Sequence, residues 1–256
     1  MSGETHKVVL YDASDGIARI TLNRPDKRNA LNDELIEGMK DALRRANDDS
    51  QVRVVILSGA GDDFCSGADL AALQKISSAT VAENLTDAQS LMELFLLIRT
   101  INVPVIAAVR GRALAGGCGL ATACDMVLAA RSSRFGYPEV KIGFVPAMVM
   151  AILRRNVSEK IAFELMTTAR EISAEEAARV GLINRVVEDK TFESGITAFT
   201  QTFLKTSAEA VALTKQLLYR TDAMSFEDAL HFGVDANVIA RMSRDCQDGI
   251  ARFLKR

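Results

Sequence analysis

Runs of apolar residues along the first two thirds of the chain predict several β-strands. Almost continuous apolar stretches, which are typical of strands covered on both faces, occupy residues 52–57, 105–109 and 126–130. Residues 8–11 and 17–22 predict two further strands, and the Asp15-Gly16 pair between them favours a hairpin. Because helical segments separate most of the strands, we expect an α/β fold with right-handed crossovers and a mainly parallel sheet.

Apolar residues at intervals of three and four predict amphipathic helices between the strands. One helix begins after a candidate N-cap at Asn32, and another ends before Pro104. Residues 80–83 show neither pattern, and we expect them to be the most flexible part of the chain. Further helix caps are predicted at Ser158, Ser173, Ser207 and Ser225.

The pattern changes near residue 190, from alternating strands and helices to helices alone. This is the only candidate boundary that the sequence offers. We therefore predict a core over residues 1–190 and a helical C-terminal region over residues 191–256, which either covers the core or joins subunits.

Charge and cysteine usage narrow the possible partners. The 256 residues include 31 basic and 33 acidic ones, a net charge of -2, which gives no reason to expect nucleic acid or an anionic membrane as a partner. The four cysteines form no metal-binding spacing, so we expect no metal site and free thiols in a reducing compartment. No signal-peptide pattern and no apolar stretch of about 20 residues is present, so we expect a soluble, cytoplasmic protein.

A glycine-rich segment after the strand at 105–109 is the strongest candidate for chemistry. Gly116 and Gly117 lie where a helix of small residues begins, so unpaired backbone N–H groups would face outward there. Such a helix start attracts negative charge, and we expect it to bind a developing oxyanion. The loop containing Arg24, Lys27 and Arg28 either binds a phosphorylated ligand or is an ordinary solvated loop.

Five segments in this order and spacing give the chain a resemblance to a known family. They are NRPDKRNALN, FCSGADL, AVRGRALAGGCGLATACD, FGYPEVKIGFVP and AARVGLINRVV. Together they resemble the enoyl-CoA hydratase/isomerase (crotonase) superfamily across nearly the whole chain. The resemblance implies a spiral core of repeated strand-helix turns, homotrimers or dimers of trimers, and a role in fatty-acid metabolism. It also implies an acyl-CoA substrate, with coenzyme A as part of that substrate and no separate cofactor.

The resemblance also assigns roles to individual residues. The backbone N–H groups of Ala68 and Gly116 would bind the thioester oxygen, and Glu139 would transfer the proton at C2 of the acyl chain. A carboxylate beside a partly dry pocket has a raised pKa, which suits that task. Substrate contacts are implied for Lys27, Arg28, Ala30, Ser66, Asp69, Leu70, Gly119 and Pro138. For Asp69, the capping of the following helix is the competing interpretation.

Two positions depart from the family pattern. Hydratases of the family usually carry a first glutamate where this chain has Gly119, and bulkier residues replace a glycine-rich sequence at 145–150. One carboxylate suffices for moving a double bond, although some hydratase-like members also lack the first glutamate. Hydration of a 2-enoyl-CoA is therefore the first expectation. Isomerisation of a 3-enoyl-CoA and a catalytically silent acyl-CoA-binding protein are the alternatives.

Overall fold

The computed structural model describes residues 7–76 and 78–255, and within them nine strands form two sheets. The strands are β1 Val9–Ser14, β2 Ile17–Leu22, β3 Val54–Gly59, β4 Val105–Val109, β5 Arg112–Leu114, β6 Met126–Ala130, β7 Arg134–Gly136, β8 Glu171–Ser173 and β9 Arg185–Val187. The larger sheet has the order β1-β2-β3-β4-β6-β9, and only the β1–β2 pair is antiparallel. The smaller sheet has the order β5-β7-β8. The prediction of a mainly parallel sheet is confirmed.

Eleven α-helices lie between and after these strands in the described part of the chain. They are α1 Asp33–Asp48, α2 Leu70–Ile76, α3 Val81–Thr100, α4 Gly116–Ala123, α5 Ala147–Asn156, α6 Glu159–Thr168, α7 Ala174–Arg179, α8 Phe192–Thr200, α9 Ala208–Arg220, α10 Phe226–Met242 and α11 Arg244–Leu254. The chain alternates between the two sheets, since β4 and β6 belong to the larger sheet and are followed at once by β5 and β7 of the smaller one. Successive strand-helix turns therefore stack as a spiral.

The inner strands β3, β4 and β6 of the larger sheet are largely buried on both faces, as their continuous apolar sequences predict. Alternate residues of β3 face opposite ways: Val55 and Leu57 join the cluster with α1, α3 and α4, whereas Val54 and Ile56 pack with α8. Leu57 lies opposite Ala107 of β4 in the parallel ladder. This register brings the carboxyl ends of β3 and β4 to one edge of the sheet, where the loops that follow them can meet.

Most of the predicted helix caps are confirmed, but the predicted flexible segment is not. Asn32 caps α1, because its side chain accepts a hydrogen bond from the Leu35 amide, and the side chains of Ser173, Ser207 and Ser225 cap their helices in the same way. Ser158 stands at the N-cap of α6 but makes no such bond. The expectation of a flexible segment at 80–83 is wrong. Thr80 and Glu83 form a reciprocal capping box that starts α3.

A buried ion pair ties the helical C-terminal region to the core. The Nζ atom of Lys215, on α9, lies 2.7 Å from Oδ2 of Asp125 and donates to the carbonyl oxygens of Ile98 and Val103 at 2.8 and 2.9 Å. Tyr219 donates to Oδ1 of Asp125 at 2.8 Å. These bonds fix α9 against the end of α4. The division at residue 190 stays a prediction.

None of the helices over residues 7–76 and 78–255 is long and apolar enough to cross a membrane. All four cysteines are free thiols, and Cys65, Cys118 and Cys124 are buried. Burial raises the pKa of the Cys65 and Cys118 thiols to about 12. They are therefore uncharged packing residues at neutral pH.

Candidate active site

The loops that follow β3 and β4 lie side by side at the carboxyl edge of the larger sheet. The Cys65 amide donates to the carbonyl of Arg112 at 3.1 Å, and the Leu114 amide donates to the carbonyl of Cys65 at 3.0 Å. This short parallel pairing carries residues 66–68 alongside the start of α4. A Cβ atom placed on Gly67 would lie 3.7 Å from the backbone nitrogen of Gly116. The structure thus brings together the two loops in which the oxyanion donors are predicted.

The backbone amides of Ala68 and Gly116 are the two predicted oxyanion donors. Within the described residues, no backbone carbonyl accepts a hydrogen bond from either of them. Ala68 is exposed and Gly116 is half-buried, so both N–H groups lie near the surface. Gly116 is the first residue of α4, where helix geometry leaves the N–H without an internal partner. Two such donors in adjacent loops can bind one oxygen atom that carries partial negative charge.

Close packing holds the start of α4 in place and imposes a strained backbone conformation there. A Cβ atom on Gly117 would lie only 2.3 Å from the carbonyl oxygen of Cys65, so only glycine fits there. Ala115, at the N-cap, has φ 50° and ψ -129°, which is rare for a residue with a side chain. Such a conformation costs about 1–3 kcal/mol and persists only where the surroundings impose it. Its amide donates to the Gly136 carbonyl at 2.9 Å, which fixes that orientation.

Glu139 lies in a short 3-10 helix, Pro138–Ile142, three residues after β7. Its side chain is half-buried, and Oε2 is a buried oxygen that finds no hydrogen-bond partner among the described residues. Burial raises the pKa of Glu139 above its ordinary value of 4.5. The carboxylate also contributes, after burial, to the raised pKa of the Cys118 thiol on α4, so its charge acts on that helix. A carboxyl group in this state is suited to accept and return a proton.

Gly119 has no room for a side chain. It is buried in α4, and a Cβ atom there would lie 2.2 Å from Cγ1 of Val149 on α5 and 3.5 Å from Cζ of Phe95 on α3. The two departures noted in the sequence, at 119 and at 145–150, are therefore parts of one packing contact. The sequence does not predict this contact, because Val149 and Gly119 come together only when α4 and α5 pack against each other.

Of the residues predicted to bind the coenzyme, Lys27 and Asp69 line a cleft beside α1 and α2, whereas Arg28, Ala30, Ser66 and Leu70 do not. Lys27 and Arg28 are exposed, Ala30 is buried, and Ser66 is half-buried. Leu70 begins α2 and is 78% exposed. A pocket of about 500 Å³ is lined by Lys27, Asp69, Ala71, Ala72 and Lys75 among others. Glu139 and Gly116 do not line this pocket, so it does not include the predicted catalytic residues.

Asp69 is engaged within the protein. Its Oδ1 accepts a hydrogen bond from the Ala71 amide at 2.9 Å, which caps α2, and its Oδ2 lies 2.6 Å from Nη2 of Arg24. The Ala71 amide and the Arg24 guanidinium together lower the pKa of Asp69. Arg24 also donates to the Ala30 carbonyl at 2.5 Å, so it joins the two loops at the wall of the pocket. The sequence alone gave no sign of this pairing across 45 positions.

Comparison with known proteins identifies the family and the fold. The sequence model of the enoyl-CoA hydratase/isomerase family matches residues 12–256. The chain belongs to this family. It is an enzyme of the hydratase/isomerase type, as the resemblance of its five segments predicted.

Individual relatives are similar over nearly their full lengths. A Thermus thermophilus protein whose name contains the words enoyl-CoA hydratase is 39% identical over 240 residues, which are 94% of this chain and 95% of that protein. The crotonyl-CoA hydratase of Syntrophomonas wolfei is 34% identical over 250 residues, 97% of this chain and 95% of that enzyme. The crystal structure of an enoyl-CoA hydratase from Mycobacterium smegmatis superposes with a TM-score of 0.93 at 31% identity, covering 97% and 96% of the two chains. The expected crotonase-like spiral fold is confirmed.

Proposed function

We propose that this enzyme adds water to the double bond of a 2-enoyl-CoA thioester. The observation that carries the proposal is the Glu139 carboxyl, which has a raised pKa and a buried oxygen without a partner, together with the free amides of Ala68 and Gly116. Relatives named as enoyl-CoA hydratases support the reaction type. The substrate is accordingly an acyl-CoA, and coenzyme A is part of it, so no separate cofactor takes part.

The mechanism passes through a thioester enolate. The Ala68 and Gly116 amides donate hydrogen bonds to the thioester oxygen, where negative charge develops; one such donor is worth about 10²- to 10³-fold in rate. The Glu139 carboxylate accepts a proton from water while the water oxygen bonds to C3. The resulting carboxylic acid then donates the proton to C2, which regenerates the carboxylate. General acid-base catalysis of this kind contributes about 10²- to 10⁴-fold.

The coenzyme portion of the substrate is assigned to the cleft beside α1 and α2. Lys27 and Arg28 supply exposed positive charge for phosphate groups, and the loops at Ala30 and Ser66 supply backbone contacts. Leu70 is a further contact of the coenzyme portion, and Pro138 is a substrate contact beside Glu139 in the same proposal. Asp69 acts indirectly, since its bonds to Ala71 and Arg24 hold the loops that form the cleft.

Assembly and compartment are also proposed. Helices α10 and α11 expose a series of large apolar side chains, which a monomer rarely leaves in water. They include Phe226, Leu230, Val234, Met242 and Phe253. We expect this surface to join copies of the chain into a trimer or a dimer of trimers. The free thiols agree with a cytoplasmic location.

Isomerisation of a 3-enoyl-CoA is the second candidate, and Gly119 favours it. Moving a double bond needs one carboxylate that takes a proton from C2 and returns it to C4. Because Val149 fills the space at Gly119, position 119 supplies no second carboxyl group beside Glu139. A third candidate, a silent acyl-CoA-binding protein, rests on the same absence of a second acid.

A panel of 2-enoyl-CoA and 3-enoyl-CoA thioesters separates these three candidates. Products are identified by mass spectrometry in ¹⁸O-labelled water, and binding is measured by calorimetry. Incorporation of ¹⁸O at C3 of a 2-enoyl-CoA supports hydration, whereas conversion of a 3-enoyl-CoA without ¹⁸O supports isomerisation. Tight binding without conversion of any thioester would reject both enzymatic proposals.

A further inference from the structure

Helices α3, α4 and α5 meet at Gly119. A Cβ atom at this position would lie 2.2 Å from Cγ1 and 3.1 Å from Cβ of Val149, and 3.5 Å from Cζ of Phe95. Val149 and Phe95 are themselves buried, so neither can swing into solvent to make room. Overfilling such a packed contact forces strain or backbone shifts. The place that a side chain at position 119 would occupy is thus already filled by a methyl group of Val149.

This place lies one helical turn beyond the Gly116 amide. Residues three apart share a face of a helix, so a side chain at position 119 would emerge close to the proposed oxyanion donor. The described contacts around it are apolar, since Val149 and Phe95 are the side chains that a Cβ atom there would meet. The apolar side chains of Val149 and Phe95 therefore occupy the space from which a second acid-base group would reach the substrate.

We propose that Val149 limits the rate of hydration at this site by excluding a second carboxylate beside the Gly116 amide. The inference rests on the proposed function. Hydration moves one proton off water and delivers one to C2, so a second carboxylate lets each group carry one of the two transfers. Isomerisation moves a single proton from C2 to C4, which Glu139 carries alone. A second carboxylate consequently accelerates hydration selectively.

Two substitutions must act together for this gain. Gly119→Glu alone drives its side chain into Val149, which lowers stability and displaces α4. Val149→Ala alone removes Cγ1, the atom at 2.2 Å, but supplies no acid. Gly119→Glu/Val149→Ala removes the atom of the closest contact and supplies the carboxylate. Its matched control is Gly119→Gln/Val149→Ala, which has nearly the same shape and no ionisable group.

The test measures the melting temperature and the kcat of hydration and of isomerisation for each of these proteins. We expect Gly119→Glu to melt well below the wild type and the double variant to recover most of that loss. We expect hydration to be at least about tenfold faster with glutamate than with glutamine at position 119 in the Val149→Ala background, and isomerisation to gain less from the same exchange. Because the Val149 Cβ atom also lies close, at 3.1 Å, the same glutamate-glutamine pair is made with Val149→Gly if the alanine pair does not fold.

Two results would overturn the inference. One is Gly119→Glu alone melting like the wild type with the full gain in hydration, since Val149 would then exclude nothing. The other is equal hydration by folded glutamate and glutamine variants. A wild-type enzyme that converts no enoyl-CoA refutes the proposed function instead. The glutamate-glutamine comparison still decides the role of Val149 in that case, because it measures a gain in hydration.

Discussion

Asp125 and Glu139 are two partly buried carboxylates near helix α4 that differ in their hydrogen-bond partners. Asp125 follows the end of α4, and its oxygens accept hydrogen bonds from the Val105 amide, Lys215 and Tyr219. Glu139 has a buried oxygen that no described group donates to, and burial raises its pKa. Buried polar groups are normally paired because an unpaired one costs about 1–3 kcal/mol. A fully paired carboxylate stabilises the fold, whereas an unpaired one is free to react.

This contrast predicts that substitutions at the two sites affect different properties. Changes at Glu139 should affect turnover and leave the fold intact. Changes around Asp125 should affect the free energy of unfolding. The assignment would be contradicted if changes at Glu139 mainly lowered the free energy of unfolding, or if changes around Asp125 mainly lowered turnover.

Glu139→Gln should have the largest effect. Glutamine keeps the shape but cannot accept and return the proton, so we expect kcat to fall by about 10²- to 10⁴-fold. Acyl-CoA binding, measured by calorimetry, should stay near the wild-type value, and so should the melting temperature. A variant with wild-type turnover would refute the role assigned to Glu139.

Lys215→Met should produce the largest loss of stability. It leaves the Asp125 carboxylate buried without its cation, and removing one partner of a buried pair costs about 3–5 kcal/mol. Urea unfolding measures the loss. Lys160→Met, at an exposed position of α6, is the control and should change stability by less than about 0.5 kcal/mol. Equal effects of the two substitutions would show that the ion pair does not anchor α9.

Tyr219→Phe should have a smaller effect of the same kind. It removes only the hydroxyl that donates to Oδ1 of Asp125, and a hydrogen bond to a charged group contributes about 1.5–3 kcal/mol. The ring remains and still packs against the Arg99 guanidinium, 4.8 Å from its centroid. Urea unfolding should therefore place this variant between the wild type and Lys215→Met. A loss larger than that of Lys215→Met would contradict the assigned order of the two contacts.

The sequence predicted features that depend on neighbouring residues better than contacts between distant segments. Strands β3, β4 and β6 follow from continuous apolar runs, and the start of α4 follows from Gly116 and Gly117, because these signals are local. The capping box at Thr80 and Glu83 is also a local signal, a threonine followed three residues later by glutamate, and it marks the start of α3 where a flexible segment was expected.

Contacts between distant segments carried no such signal. Lys215 resembles any helical lysine in the sequence, yet the fold buries it beside Asp125, 90 positions earlier. Val149 likewise reaches Gly119 only because α4 and α5 pack together. The positions of predicted site residues could be inferred from local pattern and family resemblance. Which carboxylates would be paired depended on these long-range contacts.

The pH dependence should show the smallest effect, again at Glu139. The pKa of Glu139 is raised in the folded enzyme. At a pH between the ordinary value of 4.5 and the raised value, the carboxyl is therefore protonated in the folded state and ionised in the unfolded chain. The stability that the protonated carboxyl contributes is complete below the ordinary pKa and is lost as the pH rises through the raised one. Relative to Glu139→Gln, the wild type should therefore lose stability across that window and then level off. Urea unfolding of both proteins between about pH 4 and about pH 8 measures this difference. A difference that does not vary with pH would show that Glu139 titrates alike in both states and is not perturbed by its site.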